Sequence, residues 1–306
     1  MTPAPTTRAA SSAWAIALDV GGTSVKSAEV AVTRRMVRNP LFTPIDSASG
    51  ADSILATLAH VVGHHRGQVK PPGLRGVALG FPGPFDYAAG ICLIKGLGKY
   101  ESLYGINIRH ALQARLDMED RPIMFRNDAE AAIVGEALHG AGRSYRRLIG
   151  VTLGTGCAST FIVDRRRVTS GEGVPPGGWL YPMPFRGQRA DDCFSRRGLE
   201  VRLRAAGAAT NDVKEAATAA RNGNQTALQT FREFGADLGA FLEPFAVSFQ
   251  AEAVLVLGGI AGAFDLLGLL LSRALSVPAL AGELGNDAAL LGAAELLFDE
   301  GAGADM

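Results

Sequence analysis

Residues Ala15 to Val30 read A-I-A-L-D-V-G-G-T-S-V-K-S-A-E-V, and the way this stretch is punctuated decides the fold. Alternating and β-branched apolar residues run to Asp19, break at Gly21-Gly22-Thr23 and resume from Val25 to Val32, which is the pattern of strand, tight turn and strand. Two adjacent glycines let the N–H groups of the turn converge and leave no Cβ in the path of an anion. Thr23 adds a hydroxyl and Lys26 a cation. Asp19, closing the first strand, would repel a bare phosphate, so its place beside such a cradle points to a Mg²⁺ between them and to a magnesium nucleotide. On these residues alone, Gly-Gly-Thr is also an ordinary hairpin turn.

A second copy strengthens the nucleotide reading. Ile149 to Val163, I-G-V-T-L-G-T-G-C-A-S-T-F-I-V, aligns with Ile16 to Val30 without a gap, placing Gly154 on Gly21 and Thr152 on Asp19. A single repeat at this distance is too long for a solenoid and suits two domains of related architecture. Two glycine hairpins facing each other could clamp a polyphosphate.

The 306 residues carry 30 basic and 30 acidic side chains. That length suits two medium domains, and the charge balance favours neither a nucleic-acid nor a membrane surface as partner. Cys92, Cys157 and Cys193 are odd in number and widely spaced, which argues against a disulfide framework and fits a reducing cytoplasm. No apolar run reaches the length of a membrane span. Residues 1–12 lack the apolar core of a secretory signal and are expected to form a mobile tail.

Along the rest of the chain, Leu41 to Ile45 is expected as a strand and Ala51 to Arg66 as a helix carrying His60, His64 and His65. Those histidines suit the negative end of the helix dipole, and no cysteine or carboxylate adjoins them to suggest a metal. Leu74 to Gly80 reads as a strand entering Phe81-Pro82-Gly83-Pro84, a stiff loop that could wall a pocket. Gly90 to Gly105 reads as a surface or substrate-facing loop, and Ile106 to Leu116 as a helix. Arg121 to Phe125 is a strand, after which Asn127 and Asp128 open a helix. Both are good N-cap residues, yet a carboxylate at the C-terminal end of a strand can also face a ligand crevice, and the two roles do not exclude each other. Later come helices from Val201, over Asn211 to Arg221 and over Thr226 to Gln250. A buried strand, Ala253 to Leu257, then runs into Gly258-Gly259, either a plain turn or a close approach for a ligand. Gly262 to Leu275 and Asn286 to Phe298 read as helices. No P-loop, complete G-x-G-x-x-G or G-x-S-x-G motif occurs.

Taken together, Asp19-Val20-Gly21-Gly22-Thr23 with Lys26, Asn127-Asp128 followed by Glu136, Thr152-Leu153-Gly154-Thr155-Gly156, Leu257-Gly258-Gly259 and Asn286-Asp287-Ala288 with Gly292 resemble the ROK family of bacterial sugar kinases and repressors, in the actin and hexokinase superfamily. The resemblance runs from Ala15 to Phe298. It implies an α/β fold of two actin/ribonuclease-H-like domains with an interdomain cleft, expected over residues 13–127 plus 288–306 and over residues 128–287. Closure of the two would exclude water. By this resemblance Asp19, Gly21, Gly22, Thr23, Lys26, Thr152, Gly154, Thr155 and Gly156 hold the phosphates of ATP, and Gly258 and Gly259 lie by the adenosine. Asp19 holds Mg²⁺ through water, Asp128 is the general base, and Asn127 binds sugar, with Pro82 and Gly83 expected beside it.

Departures from the family pattern concern the sugar and zinc segments. Many members carry G-E-x-G-H and then a C-x-C-G-x-x-G-C zinc cluster; here Gly178 falls where the Glu would be and Tyr181 where the His would be, with Cys193 the one cysteine nearby. No zinc site is expected, and Glu172 is the expected substitute sugar contact. Asp191 to Leu199 resembles the helix start of zinc-free glucokinases. The expectation is a cytoplasmic, ATP- and Mg²⁺-dependent kinase of a hexose, glucose foremost, with a small-molecule sugar as partner. Family members are often homodimers, and a homodimer is an open alternative here, since the sequence does not fix the oligomeric state. Family repressors carry a helix-turn-helix ahead of the kinase fold, and none is expected before the strand at Trp14. The alternatives are a non-catalytic sugar- or nucleotide-binding regulator, another acceptor, or a polyphosphate donor.

Overall fold

The computed structural model describes residues 13–69 and 73–298; the tail expected over residues 1–12 lies outside them. The chain divides into two compact units, one running to Ala131 and resuming at Ala289, the other Ala132–Ala288.

In the first unit, β1 (Trp14–Val20) and β2 (Ser24–Ala31) form the hairpin read from the sequence, and β3 (Met36–Pro44) extends it. The third strand is longer than Leu41 to Ile45 because pairing with β2, bulged between Ser27 and Glu29, carries it back to Met36. On the other side of β1 lie β4 (Leu74–Phe81) and β7 (Ile123–Asn127), both parallel to it, so the sheet order is β3-β2-β1-β4-β7. The ribbon β5 (Phe85–Asp86) and β6 (Ile91–Cys92) stands apart. Helices α1 (Ala51–Arg66) and α2 (Ile108–Leu116) belong to this unit, and Ile54, Leu58, Val61 and Val62 of α1 join the core of Ile16, Leu18, Val77 and Leu79. Helix α3 (Asp128–His139) follows β7 and crosses into the second unit.

The second unit repeats the plan. Strands β8 (Arg147–Leu153), β9 (Cys157–Val163) and β10 (Arg166–Val168) are antiparallel, and β13 (Ala253–Leu257) and β14 (Ala279–Ala281) run parallel to β8, in the order β10-β9-β8-β13-β14. The gapless repeat in the sequence is therefore a repeat of strand order and direction. Between β10 and β13 lie the ribbon β11 (Pro184–Phe185) with β12 (Gln188–Arg189), then α4 (Ala190–Phe194), α5 (Arg196–Ala205), α6 (Val213–Arg221) and α7 (Gln225–Phe249). After β13, a 3-10 segment Gly259–Ala263 precedes α8 (Phe264–Arg273), because Gly258 at φ 89° turns the chain before it coils. Close approach of α7 to α8 depends on Gly235, where an added Cβ would lie 2.2 Å from the Leu267 carbonyl oxygen. Helix α9 (Asp287–Ala294) closes the chain and tightens into a 3-10 turn over Glu295–Leu297.

One polar network lies inside the first unit. Ser27, Glu29 and His65 are fully buried. An ionised carboxylate only accepts, so His65 donates through Nδ1–H to Glu29 Oε1 at 2.7 Å, while its Nε2 lies 2.9 Å from Ser27 Oγ. Glu29 Oε2 accepts from Arg38 Nε at 2.7 Å and from Asn39 Nδ2 at 2.8 Å. The last turn of α1 is thereby tied to β2 and β3 by a fully partnered buried acid. Replacing His65 with Ala removes one partner and leaves a buried carboxylate oxygen unpaired. Urea unfolding is expected to show a loss of about 3 kcal/mol; an unchanged midpoint would mean that water replaces the imidazole without penalty.

Candidate active site

In the first unit, the site residues gather where β1, β4 and β7 end. These strands are parallel, so their C-terminal ends lie on one edge of the sheet, where open α/β sheets place their ligands. Asp19 is opposite Lys26 in the hairpin register, and Lys26 Nζ pairs with Asp19 Oδ2 at 3.3 Å. The turn between them is closed by Gly21 N–H donating to the Ser24 carbonyl at 2.9 Å. Around an added Cβ at Gly22 there is nothing within 4 Å, so the backbone faces open space on that side.

Tyr100 fastens this turn to the rest of the edge. Its hydroxyl donates to the Gly21 carbonyl, and its ring is buried 5.3 Å from that of Phe81 at the end of β4. Phe81 pairs with Asn127 across β4 and β7. Tyr87 donates from its hydroxyl to the Phe81 carbonyl at 3.1 Å, and Asn127 Nδ2 donates to that hydroxyl at 3.0 Å. Gly83 belongs to the same cluster: an added Cβ would lie 3.1 Å from the Tyr87 hydroxyl and 3.9 Å from Asn127 Nδ2. Asn127 Oδ1 accepts from Glu130 N–H at 3.1 Å, which is the capping bond expected of it.

Asp128 opens α3 and accepts from Ala129 N–H at 2.9 Å. Gly80 permits the close approach, since an added Cβ there would sit 3.5 Å from Asp128 Cα. Burial above all, and then the negative field of Asp19, hold the Asp128 carboxyl above the ordinary carboxylate range, while the Ala129 N–H and the Lys99 ammonium oppose the rise. Burial first and the Asp128 charge second push the Tyr100 phenol up, so it keeps its proton and its bond to Gly21.

In the second unit, Leu153, Gly154, Thr155 and Gly156 make the turn between β8 and β9, with Gly154 N–H donating to the Gly156 carbonyl at 3.0 Å. The start of α5 and the α4 segment brace it. Arg196 N–H donates to the Gly154 carbonyl at 2.7 Å, and Asp191 Oδ1 accepts from Cys157 N–H at 2.8 Å. Gly258 lies against this turn, for its added Cβ would be 2.5 Å from the Leu153 carbonyl oxygen. Gly154 and Gly259 both face open space where a Cβ would stand. Glycine backbone with open space beside it leaves room for a polyphosphate and its nucleoside to approach closely. Among these residues Asp19 is the oxygen ligand suited to Mg²⁺.

Two clusters are thus assembled, each within its own unit: Asp19, Gly21, Gly22, Thr23 and Lys26 with Pro82, Gly83, Asn127 and Asp128, and Thr152, Gly154, Thr155 and Gly156 with Gly258 and Gly259. Glu172 is exposed on the loop after β10, whose neighbouring Gly173 is seated against the α7 C-terminus, with an added Cβ 2.3 Å from Phe249 N. Sequence reasoning did not single out Tyr87, Lys99, Tyr100 or Asp191 as site residues; an aromatic residue flanked by Lys99 and Glu101 in a glycine-rich loop was the available signal for Tyr100. Among the described residues no helix is long and apolar enough to cross a membrane.

The ROK family model matches residues 15–300. The chain belongs to the ROK family. This ROK chain is 29% identical over 228 residues to a glucokinase of Streptomyces coelicolor, covering 62% of this chain and 70% of the relative. Its fold is that of a ROK hexokinase from Thermus thermophilus, with a TM-score of 0.74 at 22% identity over 92% of this chain and 96% of that one. It is likewise similar to a ROK glucokinase from Streptomyces griseus in complex with glucose and AMPPNP, with a TM-score of 0.70 at 22% identity over 92% and 98% of the two chains. The actin-like α/β architecture implied by the sequence motifs is therefore the architecture of this ROK chain.

The raised Asp128 carboxyl has a consequence for stability. Folding favours its protonated form, so the ionised group weighs against the folded state above its folded-state pKa, and this penalty vanishes as pH falls toward the ordinary value of 3.8. Asp128→Asn keeps an oxygen for the Ala129 N–H and removes the charge. Its Tm is expected to exceed that of the native chain at pH 7, with the gap closing on acidification; a gap independent of pH would assign the gain to something other than the carboxylate.

Proposed function

We propose that this ROK chain is a sugar kinase that transfers the γ-phosphoryl group of ATP, with Mg²⁺, to a hydroxyl of a hexose-type sugar, glucose first among the candidates, and that Asp128 is the general base. The observation that carries the reading is the setting of Asp128: a half-buried carboxylate opening α3 just past the C-terminal end of β7, beside Asn127 and within the field of Asp19. The glucokinase and hexokinase relatives supply the substrate class.

A sugar hydroxyl is a poor nucleophile at neutral pH. Asp128 takes its proton as the oxygen attacks phosphorus, and a carboxylate of raised basicity does so better than an exposed one. Asn127 uses its amide, already oriented by Tyr87 and Glu130 N–H, to hold the sugar with a second N–H. With the Gly21 and Gly154 N–H groups closing their own turns, the backbone of Gly22-Thr23 and of Thr155-Gly156 is what the two turns offer to phosphate oxygens, and Lys26 adds a positive charge. Asp19 would hold Mg²⁺, and that ion, when bound with the nucleotide, would supply positive charge against the phosphate oxygens.

The test is ADP release from Mg-ATP with glucose, mannose, N-acetylglucosamine and N-acetylmannosamine, repeated with polyphosphate as donor. At least one sugar is expected to accelerate release, and Asp128→Asn to lower that turnover by roughly two to four powers of ten with nucleotide binding kept. Because only the carboxylate form accepts the proton, kcat/KM is expected to fall on the acid side through a pKa above the ordinary carboxylate value. Nucleotide binding with no sugar-dependent turnover would instead favour a regulator.

A further inference from the structure

Lys99 belongs to the first unit, on the loop between β6 and α2, and the backbone is held on both sides of it. Gly98 (φ 69°) and Tyr100 (φ 56°) flank it in the left-handed region, which tyrosine rarely adopts. Hydrogen bonds fix the turn. Gly98 N–H donates to Glu101 Oε1 at 2.7 Å, Tyr100 N–H to the Ser47 carbonyl at 2.6 Å and Leu103 N–H to the Tyr100 carbonyl at 3.0 Å. Tyr100 buries its ring against Phe81 and donates its hydroxyl to the Gly21 carbonyl. The neighbour of Lys99 is thus fastened to the Gly21-Gly22 turn, and the loop brings the lysine to the same edge of the sheet.

The charges at that edge do not cancel in pairs. Lys26 is matched with Asp19 at 3.3 Å. Lys99 is half-buried, and among the described residues its ammonium makes neither a hydrogen bond nor an ion pair. Lys95 in the same loop differs: it is exposed, with its ammonium 5.3 Å from the centre of the Tyr104 ring. The Lys99 ammonium does bear through space on the Asp128 carboxyl. A half-buried ammonium has given up part of its hydration, and an anion brought against it makes up that loss.

We propose that Lys99 is a further catalytic residue of the phosphoryl transfer, its ammonium contacting the non-bridging oxygens of the γ-phosphoryl group of ATP. In that step the sugar oxygen bonds to the γ-phosphorus as the bond from phosphorus to the bridging oxygen breaks. The electron pair of the broken bond leaves on ADP, and the hydroxyl proton goes to Asp128. Lys99 keeps its proton throughout. Once Asp128 is neutral it no longer competes for the ammonium, so the charge of Lys99 is given over to the phosphoryl oxygens as the proton moves. A compact point charge on a flexible stem can follow phosphorus from one oxygen to the other, where the planar fork of arginine is fixed in direction. The inference rests on the sugar-kinase reading, since it takes ATP as donor and Asp128 as base.

Lys99→Met keeps the half-buried stem and removes the charge, and Lys99→Arg keeps a charge. With the sugar that accelerates ADP release, Lys99→Met is expected to lower kcat roughly 10²- to 10³-fold with the sugar KM unchanged, and Lys99→Arg to recover part of the loss. The deficit is expected to persist at alkaline pH, where Asp128 is ionised in every variant. AMPPNP and ADP, each titrated with Mg²⁺, report on the contact directly: Lys99→Met is expected to weaken AMPPNP roughly fivefold and to leave ADP, which lacks the γ-phosphoryl group, unchanged. A deficit that vanishes at alkaline pH would leave Lys99 acting only through Asp128, and equal weakening of AMPPNP and ADP would put the ammonium elsewhere; either overturns the proposal. Unchanged kcat in Lys99→Met, with Asp128→Asn still impaired, would overturn it and leave the kinase standing. If no sugar turns over, the kinase reading falls, and the AMPPNP and ADP titrations still decide whether Lys99 meets the γ-phosphoryl group.

Discussion

A carboxylate that works as a base must be ionised, and burial opposes ionisation. On the proposed reading Asp128 is that base, and it meets this conflict where a strand becomes a helix. The first N–H groups of α3 have no helical partners, and their positive end of the dipole favours a negative charge there. Ala129 N–H supplies the direct bond, and Lys99 adds a cation from the loop that also carries Tyr100. Asp19 acts the other way, so the basicity of Asp128 is a balance of named groups. The arrangement depends on β1, β4 and β7 being parallel, because only then do Asp19, Phe81 and Asn127 end on one edge of one sheet.

The second unit shows what the same topology does without that acid. Its strand order and directions repeat those of the first, yet Thr152 stands where Asp19 stands in the aligned hairpin. A second carboxylate beside a phosphate-binding turn would add repulsion with no metal to screen it, whereas a hydroxyl can donate. After the strand parallel to the hairpin, the first unit places Phe81-Pro82-Gly83 and its tyrosine contacts. The second places Gly258, flush on the Leu153 backbone. One half of the duplicated plan carries side-chain chemistry and the other offers mostly backbone.

Much of this was legible because it is local. Glycine turns between apolar strands, the α1 span and the Asn127 cap are all set by neighbours within a few residues. What was not legible depends on residues far apart in the chain. His65 reads as a residue suited to a helix C-terminus, but bulging of β2 brings Glu29 under it, and periodicity carries no trace of that pairing. Tyr100 lies 79 positions from the Gly21 carbonyl it holds. The seating of the Glu172 loop on the end of α7 was not legible either, because it rests on Gly173 meeting the distant Phe249.

The division between backbone and side chain bears on selectivity. Phosphates are alike in every nucleotide, so on the proposed reading turns of bare glycine backbone suffice for the donor and say little about its partner. An acceptor is read by side chains. A site that reads a sugar through charged and imidazole side chains senses the configuration of individual hydroxyls, and a buried polar group left unpaired by the wrong epimer discriminates steeply. Where family members place Glu and His, this chain has Gly178 and Tyr181 with Trp179 between them. On the proposed reading, hydroxyl discrimination then falls mainly on Asn127 and Asp128, whose geometry fixes the reacting end of the sugar.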